Sequence, residues 1–310
     1  MSAEASGPAL RFDGVGKRFG RFRALDALSF SVPRGVVCGL VGPNGAGKTT
    51  TFSIASGFLE PDAGAVQILE FDAFDPWTLK GRVGVLPQDA ELPERHTPME
   101  LLTHLARLQG LTLGEARDDA EARLVEVSLA DRRFDRIGAL SHGMRRRVAV
   151  ATALLGDPEL VLLDEPTAGL DPVQARGLRD VIAAGRGRRT LVVSSHNLLE
   201  LELICDWIVM VDRGRCLRQG SVEEVTERAL RLRFEVAREP DLDALREALP
   251  EGCVPSWNEA ALDVVGPPGG DVDAASLAVM QALVAQQIGI RGMRRGQSLE
   301  ERFIGDAAPR

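Results

Sequence analysis

The sequence lacks long apolar runs, and its acidic residues outnumber its basic ones. A helix that spans a bilayer needs about 20 consecutive apolar residues, whereas apolar stretches such as 160–163 and 190–193 are far shorter. The segment Met1–Leu10 has no basic part followed by an apolar part, so we expect no signal peptide. The net charge of −8 does not favour nucleic acid as a partner. We therefore expect neither a membrane-spanning protein nor a nucleic-acid-binding one.

Cysteine and histidine are scarce, and tyrosine is absent. The four cysteines form no Cys-x-x-Cys pair and the four histidines show no metal-ligand spacing, which argues against a zinc site. Cys38 and Cys205 lie within apolar runs, so we expect reduced thiols in a core and a cytosolic location. With 45% hydrophobic and 26% charged residues, the 310-residue chain has the composition of globular domains, one large or two ordinary.

A glycine-rich stretch matches the phosphate-binding pattern Gly-x-x-x-x-Gly-Lys-[Ser/Thr]. It comprises Gly42, Pro43, Asn44, Gly45, Ala46, Gly47, Lys48, Thr49 and Thr50. The apolar run 36–41 predicts a buried strand before it, and residues 51–55 can begin a helix after it. Strand, turn and helix in this order point backbone N–H groups and the positive helix end at a phosphate. The pattern predicts that Lys48 reaches the β- and γ-phosphates and that the Thr49 hydroxyl binds Mg²⁺.

Strands and helices alternate along much of the chain, which predicts an α/β fold with sites at the carboxyl edge of a mostly parallel sheet. Extended segments between residues 10 and 32 predict a small antiparallel sheet that leads into the phosphate loop. Thr97, Pro98 and Glu100 predict the capped start of a helix in an all-helical insertion. After a boundary near 221–228, strands and helices alternate again, which predicts a small α+β domain.

Two carboxylates, Asp164 and Glu165, directly follow the apolar run 160–163. An aspartate at the end of a buried strand organises Mg²⁺ in phosphate-loop ATPases. A glutamate beside it can act as general base towards the attacking water. A carboxylate pair in a solvated loop is the alternative, but the apolar residues directly before the pair disfavour a surface position.

Six motifs, in the same order, resemble those of the nucleotide-binding subunit of an ABC transporter over residues 10–225. The two Walker motifs are matched by 42–50 and 160–165, the signature by 140–144, the Q-loop by Gln88, the D-loop by 168–171 and the switch histidine by His196. The resemblance implies an α/β phosphate-loop NTPase (RecA-like) core with an antiparallel β subdomain and a helical subdomain at about 89–155. A C-terminal α+β accessory domain at 229–310 would follow it.

The resemblance also implies a dimer in which two cassettes close head to tail around two ATP molecules. Ser141 and Gly143 of the signature would then contact the γ-phosphate held by the other subunit. Gln88 would reach Mg²⁺ and water and lie near the transmembrane partner, and His196 would bind the γ-phosphate and help to position water. Phe19 occupies the place of an aromatic residue that stacks on adenine, with a core position as the alternative. The implied cofactors are ATP and Mg²⁺, the implied catalytic residues are Glu165, His196 and Gln88, and the implied metal ligands are Thr49, Gln88 and Asp164.

Two signature residues depart from the common pattern, because His142 replaces a glycine and Met144 replaces a glutamine. The form Leu-Ser-x-Gly-Met resembles an export branch of the family, as does the segment 298–303. That branch implies separate membrane permease subunits that export drugs, lipids, ions or polysaccharides. The run Arg145–Arg147 predicts a solvated helix face rather than a nucleic-acid site.

The sequence therefore predicts an ATPase subunit that is peripheral to the cytoplasmic face of the cell membrane. It would pair with a second copy or a close homologue and drive a separate permease. A non-transport ABC ATPase with a regulatory or translation-associated role is the alternative. Translation-type members usually carry two cassettes and DNA-repair members carry long coiled-coil insertions, whereas this chain has one cassette and a short segment between Gln88 and Ser141. A non-hydrolysing ATP binder is disfavoured by the presence of Glu165 and His196.

Overall fold

The computed structural model describes residues 7–195, 198–226, 231–258, 261–267 and 270–295. The chain divides into two units, one ending at Ser221 and the other beginning at Val222. Each unit has its own cluster of buried apolar residues. The predicted switch residue His196 and the segment 298–303 lie outside the described residues.

The first unit combines strands and helices in the following chain order. Its elements are β1 (Leu10–Phe19), β2 (Phe22–Val32), β3 (Val37–Val41), α1 (Lys48–Ala55), β4 (Ala63–Ile68), β5 (Phe71–Asp72), β6 (Val83–Leu86), α2 (Pro98–Leu108), α3 (Leu113–Glu126), α4 (His142–Ala153), β7 (Leu160–Leu163), α5 (Pro172–Ala184), β8 (Thr190–Ser195), α6 (Leu198–Glu202), β9 (Trp207–Asp212) and β10 (Arg215–Ser221). Short 3-10 helices at Ala130–Arg132 and Ile137–Ala139 lead into α4.

One sheet of this unit is antiparallel, with the strand order β2-β1-β4-β5. The strands β1 and β2 form a long hairpin in which Phe12 pairs with Phe30, and the two rings stack with centroids 4.7 Å apart. Both rings belong to an apolar cluster that also contains Leu40 of β3 and Leu162 of β7. The predicted antiparallel sheet is confirmed, and the shared core fixes it against the strands that carry the site.

The second sheet has six strands in the order β10-β9-β3-β8-β7-β6. All neighbouring pairs are parallel except β10 and β9, which are antiparallel. Every residue of β3, β7 and β8 is buried, as expected for strands covered on both faces. Because β3, β8 and β7 are parallel neighbours, their carboxyl ends meet at one edge of the sheet. The predicted α/β core with a mostly parallel sheet is confirmed.

The region between β6 and β7 is helical, as predicted. At the start of α2, the Thr97 hydroxyl accepts a hydrogen bond from the Glu100 N–H and the Glu100 carboxylate accepts one from the Thr97 N–H. The predicted helix cap is thus confirmed, and Thr112 with Glu115 forms a second such box before α3. Within the described parts of the chain, no helix combines the length and the apolar character that a membrane span requires.

The second unit contains α7 (Val222–Thr226), β11 (Arg231–Val236), α8 (Leu242–Ala248), β12 (Val254–Asn258), β13 (Ala261–Val265), α9 (Val272–Ala285) and β14 (Ile290–Arg295). Its sheet is antiparallel with the order β12-β13-β11-β14. From β11 onward the elements form a β-α-β-β-α-β arrangement. The predicted α+β class is confirmed, but the sequence pattern did not indicate β12. Pro255 interrupts that strand pattern, and it is tolerated because β12 lies at the sheet edge.

Cys38 and Cys205 are both buried. Their burial raises the pKa of each thiol above its ordinary value, because a thiolate is poorly solvated in an apolar environment. The prediction that these two cysteines lie within a core is confirmed.

We expect residues 1–228 to fold without the remainder of the chain. The apolar cluster of the first unit is built from residues of that unit alone, so removal of 229–310 leaves it complete. The truncated protein should elute as a single species and melt in one cooperative transition, which size-exclusion chromatography and circular dichroism would measure. An aggregated or unfolded product would contradict the domain boundary that we infer from the sequence.

Candidate functional site

The phosphate loop joins β3 to α1, and its backbone lies very close to neighbouring segments. A Cβ atom on Gly42 would lie 2.2 Å from the carbonyl oxygen of Val211, and one on Gly47 would lie 2.9 Å from that of Ala24. Gly47 also has a φ of 106°, which glycine adopts far more readily than other residues. These two positions therefore require glycine, and α1 begins directly after them at Lys48.

Lys48 is almost fully buried at the start of α1. Its Nζ donates to the carbonyl oxygens of Gly42 at 2.7 Å and Pro43 at 3.2 Å, and it lies 4.0 Å from Oε1 of Glu165. Burial lowers the pKa of Lys48, while the carboxylates of Glu165 and Asp164 act in the opposite direction. The loop therefore holds the ammonium group against its own backbone and beside a buried carboxylate.

Asp164 and Glu165 follow β7 at the carboxyl edge of the sheet, and both are buried. Ser194 on the neighbouring strand β8 contacts both residues. Its hydroxyl donates to Oδ1 of Asp164 and accepts a hydrogen bond from the backbone N–H of Glu165 at 2.8 Å. Glu165 has a φ of 49°, a left-handed conformation that is uncommon for a residue other than glycine. The alternative of a solvated loop is therefore excluded for this carboxylate pair.

A cavity of about 250 Å³ lies over the phosphate loop. The predicted residues that line it are Asn44, Gly45, Gly47, Lys48, Thr49, Thr50, Gln88 and Glu165. Phe22 and Ala24 of β2 complete the lining. The fold thus brings the loop together with Gln88, which follows β6, and with Glu165, which follows β7.

The three predicted metal ligands line a second, adjoining cavity of about 180 Å³. Thr49 and Gln88 belong to both cavities, and Asp164 belongs to the second. Their hydroxyl, amide and carboxylate oxygens are the donors that Mg²⁺ prefers, and Mg²⁺ usually takes further ligands from water and substrate phosphates. Within the described residues, no cluster of three or more His, Cys, Asp and Glu could hold a metal by itself. The donor set therefore fits Mg²⁺ next to a bound triphosphate.

The signature residues are not among those that line the cavity over the phosphate loop. Ser141 is the N-cap of α4, and its Oγ accepts a hydrogen bond from the backbone N–H of Met144 at 3.2 Å. Gly143 is buried against α5, where a Cβ atom would lie 1.4 Å from Oε1 of Gln174. Ser141 and His142 are exposed. Packing therefore requires a glycine at position 143 and leaves the N-terminus of α4 open to solvent.

An aromatic residue does line the cavity, but it is Phe22 rather than the predicted Phe19. The two residues pair across the hairpin of β1 and β2, so their side chains point to the same face. Phe19 is 49% exposed, which excludes the alternative of a core position. The motif position indicated only Phe19. The sequence signal that was missed is the second aromatic residue of the same hairpin, Phe22.

The prediction of a solvated helix face at Arg145–Arg147 is wrong, because all three side chains are partly buried. The guanidinium of Arg147 lies so close to α5 that a Cβ atom on Gly177 would be 2.2 Å from its Nη2. Arg146 donates hydrogen bonds to the turn after β7. The helix α4 packs against β6, β7 and α5, which leaves little of this face to solvent. Ser194 and Arg146 are thus two residues of the site that the sequence patterns did not indicate.

Comparison of the sequence with protein families matches residues 25–168 to the family described as ABC transporter. The Nod factor export ATP-binding protein I of Ralstonia nicotianae is 38% identical over 250 residues, which cover 79% of this chain and 77% of that protein. The daunorubicin resistance ATP-binding protein DrrA3 of Streptomyces coeruleorubidus is 38% identical over 222 residues, covering 70% of this chain and 69% of that protein. The linearmycin resistance ATP-binding protein LnrL of Bacillus subtilis is 35% identical, with 71% of each chain covered.

Solved structures agree with these sequence matches. The ADP conformation of an ATP-binding cassette of an ABC transporter superposes with a TM-score of 0.63 at 26% identity, covering 70% of this chain and 92% of that one. The structure of cbiO1 from Clostridium perfringens, part of the ABC transporter complex cbiONQ, superposes with a TM-score of 0.64 at 26% identity. It covers 71% of this chain and 90% of that chain. The shared region is of the size of a complete cassette.

We expect Ser194→Ala to destabilise the protein, because it leaves buried Asp164 without its hydroxyl donor and the Glu165 N–H without its acceptor. The free energy of unfolding should fall by about 1–3 kcal/mol, the cost of unsatisfied buried polar groups. Ser56→Ala is the matched control, since that buried hydroxyl donates only to carbonyl oxygens of α1. Urea denaturation measures both, and equal losses in the two variants would contradict the role assigned to Ser194.

Proposed function

The chain belongs to the family of ABC transporter ATP-binding proteins, and from that premise we propose that two copies close around two ATP molecules to drive an export permease. Proteins of this family are ATPases whose hydrolysis is coupled to transport. Exporter-type relatives support the direction of transport. One observation carries the proposal of a dimer, namely that the signature residues at the exposed N-terminus of α4 do not line the cavity over the phosphate loop of their own chain.

The first half is the phosphate loop with its cavity, and the second is the exposed N-terminus of α4. Four backbone N–H groups at the start of a helix lack partners within it, and with the helix dipole they favour a phosphate. Ser141 caps this end, and Gly143 packs without a side chain against α5. A second copy placed head to tail would bring its α4 to the γ-phosphate in the first copy's cavity. Each ATP would then be enclosed by both copies.

Within one copy, we assign the triphosphate to the loop residues 42–50. Lys48 would exchange its bonds to the Gly42 and Pro43 carbonyls for bonds to the β- and γ-phosphates. Thr49, Gln88 and Asp164 would hold Mg²⁺, which supplies charge neutralisation on the phosphates during transfer. Phe22 and Phe19 lie on the same face of their hairpin and offer aromatic surface to the adenine.

Glu165 is the proposed general base. Its carboxylate lines the same cavity as Lys48 and lies 4.0 Å from the Lys48 Nζ, so it faces the place where the γ-phosphate would be bound. From there it would orient water and accept its proton. By resemblance to the family, His196 would bind the γ-phosphate beside it.

A separate permease is the proposed membrane partner, and its contact would place this protein on the cytoplasmic face of the membrane. Phe58 supports a docking place, because it is 69% exposed and lines the cavity that it shares with Gln88. A permease bound there would lie next to Gln88. Because Gln88 also lines the cavity over the phosphate loop, the permease would respond to the state of the ATP site. The permease would also select the cargo, for which the names of the relatives favour a drug or a Nod-factor-like molecule over an ion.

The alternative of a non-transport ABC ATPase has less support. The relatives named above carry descriptions of export or of drug resistance, and the solved structures are transporter cassettes. No feature of the described residues favours a ribosomal or DNA partner over a permease.

We expect Glu165→Gln to lower kcat about 100-fold or more while ATP binding persists, since general base catalysis contributes on this scale. Because the ATP is not consumed, the variant should accumulate as a dimer in ATP and Mg²⁺. ATPase assays and light scattering coupled to size-exclusion chromatography measure the two effects. Glu121→Gln on the exposed face of α3 is the control and should behave as wild type. A variant with near-normal kcat would remove Glu165 as the base, and a monomer in ATP would contradict closure of two copies.

We expect Lys48→Ala to weaken ATP binding about 10- to 100-fold, the loss expected when a charged hydrogen bond to phosphate is removed. Lys80→Ala, which removes an exposed lysine outside the cavity, is the matched control. Equilibrium binding of a fluorescent ATP analogue measures the dissociation constant of each variant. Unchanged affinity in Lys48→Ala would contradict the assigned phosphate contact.

A further inference from the structure

Arg146 connects two parts of the site that are distant in the sequence. It lies on α4, and its guanidinium donates to three successive carbonyl oxygens of the turn after β7. Nε bonds to Pro166 at 2.9 Å, and Nη2 bonds to Glu165 at 2.8 Å and to Asp164 at 3.2 Å. Nη1 donates to the carbonyl oxygen of Gln88, after β6, at 3.3 Å. One side chain thus holds together the backbone of the residues assigned to Mg²⁺ and to catalysis.

Arginine suits this position because its planar guanidinium offers five N–H donors and stays charged. The side chain is partly buried, and burial lowers the pKa of Arg146 while the carboxylates of Asp164, Asp89 and Glu165 oppose that change. A charged donor also makes stronger hydrogen bonds to carbonyl oxygens than a neutral one does. Lysine, with a single nitrogen, could not reach the same set of carbonyl groups at once.

The turn that Arg146 holds contains an unfavourable backbone conformation. The left-handed φ of Glu165 costs energy for a residue with a Cβ atom, and such conformations persist only where the surroundings fix them. Ser194 accepts the hydrogen bond from the Glu165 N–H, and Arg146 donates to the Glu165 carbonyl oxygen. The backbone of the proposed base is therefore fixed from both sides, by β8 and by α4.

The same helix carries the signature residues at its N-terminus. Ser141 is the N-cap of α4, and Arg146 lies about 7.5 Å farther along the axis at a rise of 1.5 Å per residue. A rigid secondary element of this kind can transmit a displacement from one end to the other. Any displacement of its N-terminus therefore moves the guanidinium and the turn bonded to it.

We propose that Arg146 is a positioning residue that couples the signature end of α4 to the carboxylate of Glu165 in the same chain. The inference rests on the proposed function, in which the signature contacts ATP held by the partner copy. When two copies close, the ATP held by one copy contacts and positions α4 of the other copy. Arg146 on that helix then positions Glu165 of its own chain, which is the base for the second site. We therefore expect hydrolysis in the two sites to be cooperative.

The test is Arg146→Met in the full-length chain, with hydrolysis measured over a range of ATP concentrations. We expect kcat to fall about tenfold or more, the dissociation constant for ATP to change less than about twofold, and the Hill coefficient to fall to about 1. Arg117→Met on the exposed face of α3 is the matched control and should equal wild type. Arg146→Lys should recover part of the lost kcat. Wild-type kcat in Arg146→Met, or equal losses of kcat and ATP affinity, would overturn the inference.

A double variant separates this inference from the proposed function. Glu165→Gln combined with Arg146→Met should form the ATP-bound dimer as fully as Glu165→Gln alone, and its residual hydrolysis should be no lower, because both changes act on the same carboxylate. Absence of a dimer in Glu165→Gln would count against the proposed function. A dimer in Glu165→Gln but not in the double variant would assign Arg146 to closure and overturn the inference. If Arg146→Met melts far below wild type, Arg146→Gln, which stays polar but loses the charge and the fork of five donors, replaces it in every comparison.

Discussion

Three charged side chains, Lys48, Asp164 and Glu165, lie almost wholly buried at one edge of the six-stranded sheet. A buried charge without partners costs several kcal/mol, so the surrounding segments have to supply hydrogen bonds. The phosphate loop supplies carbonyl oxygens to Lys48, and Ser194 supplies a hydroxyl to Asp164. The loop, the turn after β7 and the end of β8 therefore depend on one another for their conformations. A change in any one of them leaves a charge unsatisfied in another.

The order of the strands makes this dependence possible. The carboxyl ends of β3, β8 and β7 meet because the three strands are parallel neighbours, although they are far apart in sequence. The antiparallel sheet adds Phe22 and Ala24 to the same cavity through the hairpin of β1 and β2. The helix α4 connects the segments that follow β6 and β7, since Arg146 donates to the carbonyl oxygens of Gln88 and Glu165. The nucleotide site and the proposed metal-binding and base-catalysis roles thus depend on one set of backbone positions.

The patterns that predicted this protein correctly are local ones. The phosphate loop, the buried strand before Asp164 and the cap of Thr97 and Glu100 are each complete within a few consecutive residues. Features that the patterns missed depend on neighbours from elsewhere in the chain. Nothing in the sequence distinguishes Ser194 from other serines at strand ends. Its role follows from the pairing of β8 with β7, which brings its hydroxyl to the Asp164 carboxylate. Pro255 made β12 difficult to predict, because proline lacks the N–H that a central strand needs. It is compatible with β12 because that strand lies at the edge of the sheet.

The sequence by itself determined the α/β class, the glycine-rich loop with its phosphate-binding pattern, the adjacent carboxylates and membership of a family that hydrolyses ATP for transport. Glycine spacing and apolar runs carry this information, since they restrict the backbone directly. Only the tertiary structure decided which side chains satisfy the buried charges and which surfaces stay open. It showed that Arg146, one of three consecutive arginines, donates hydrogen bonds to four backbone carbonyl oxygens. It also showed that Ser141 faces solvent beside a buried Gly143. Such assignments depend on distances between segments, and these distances exist only after β6, β7, β8 and α4 have packed together.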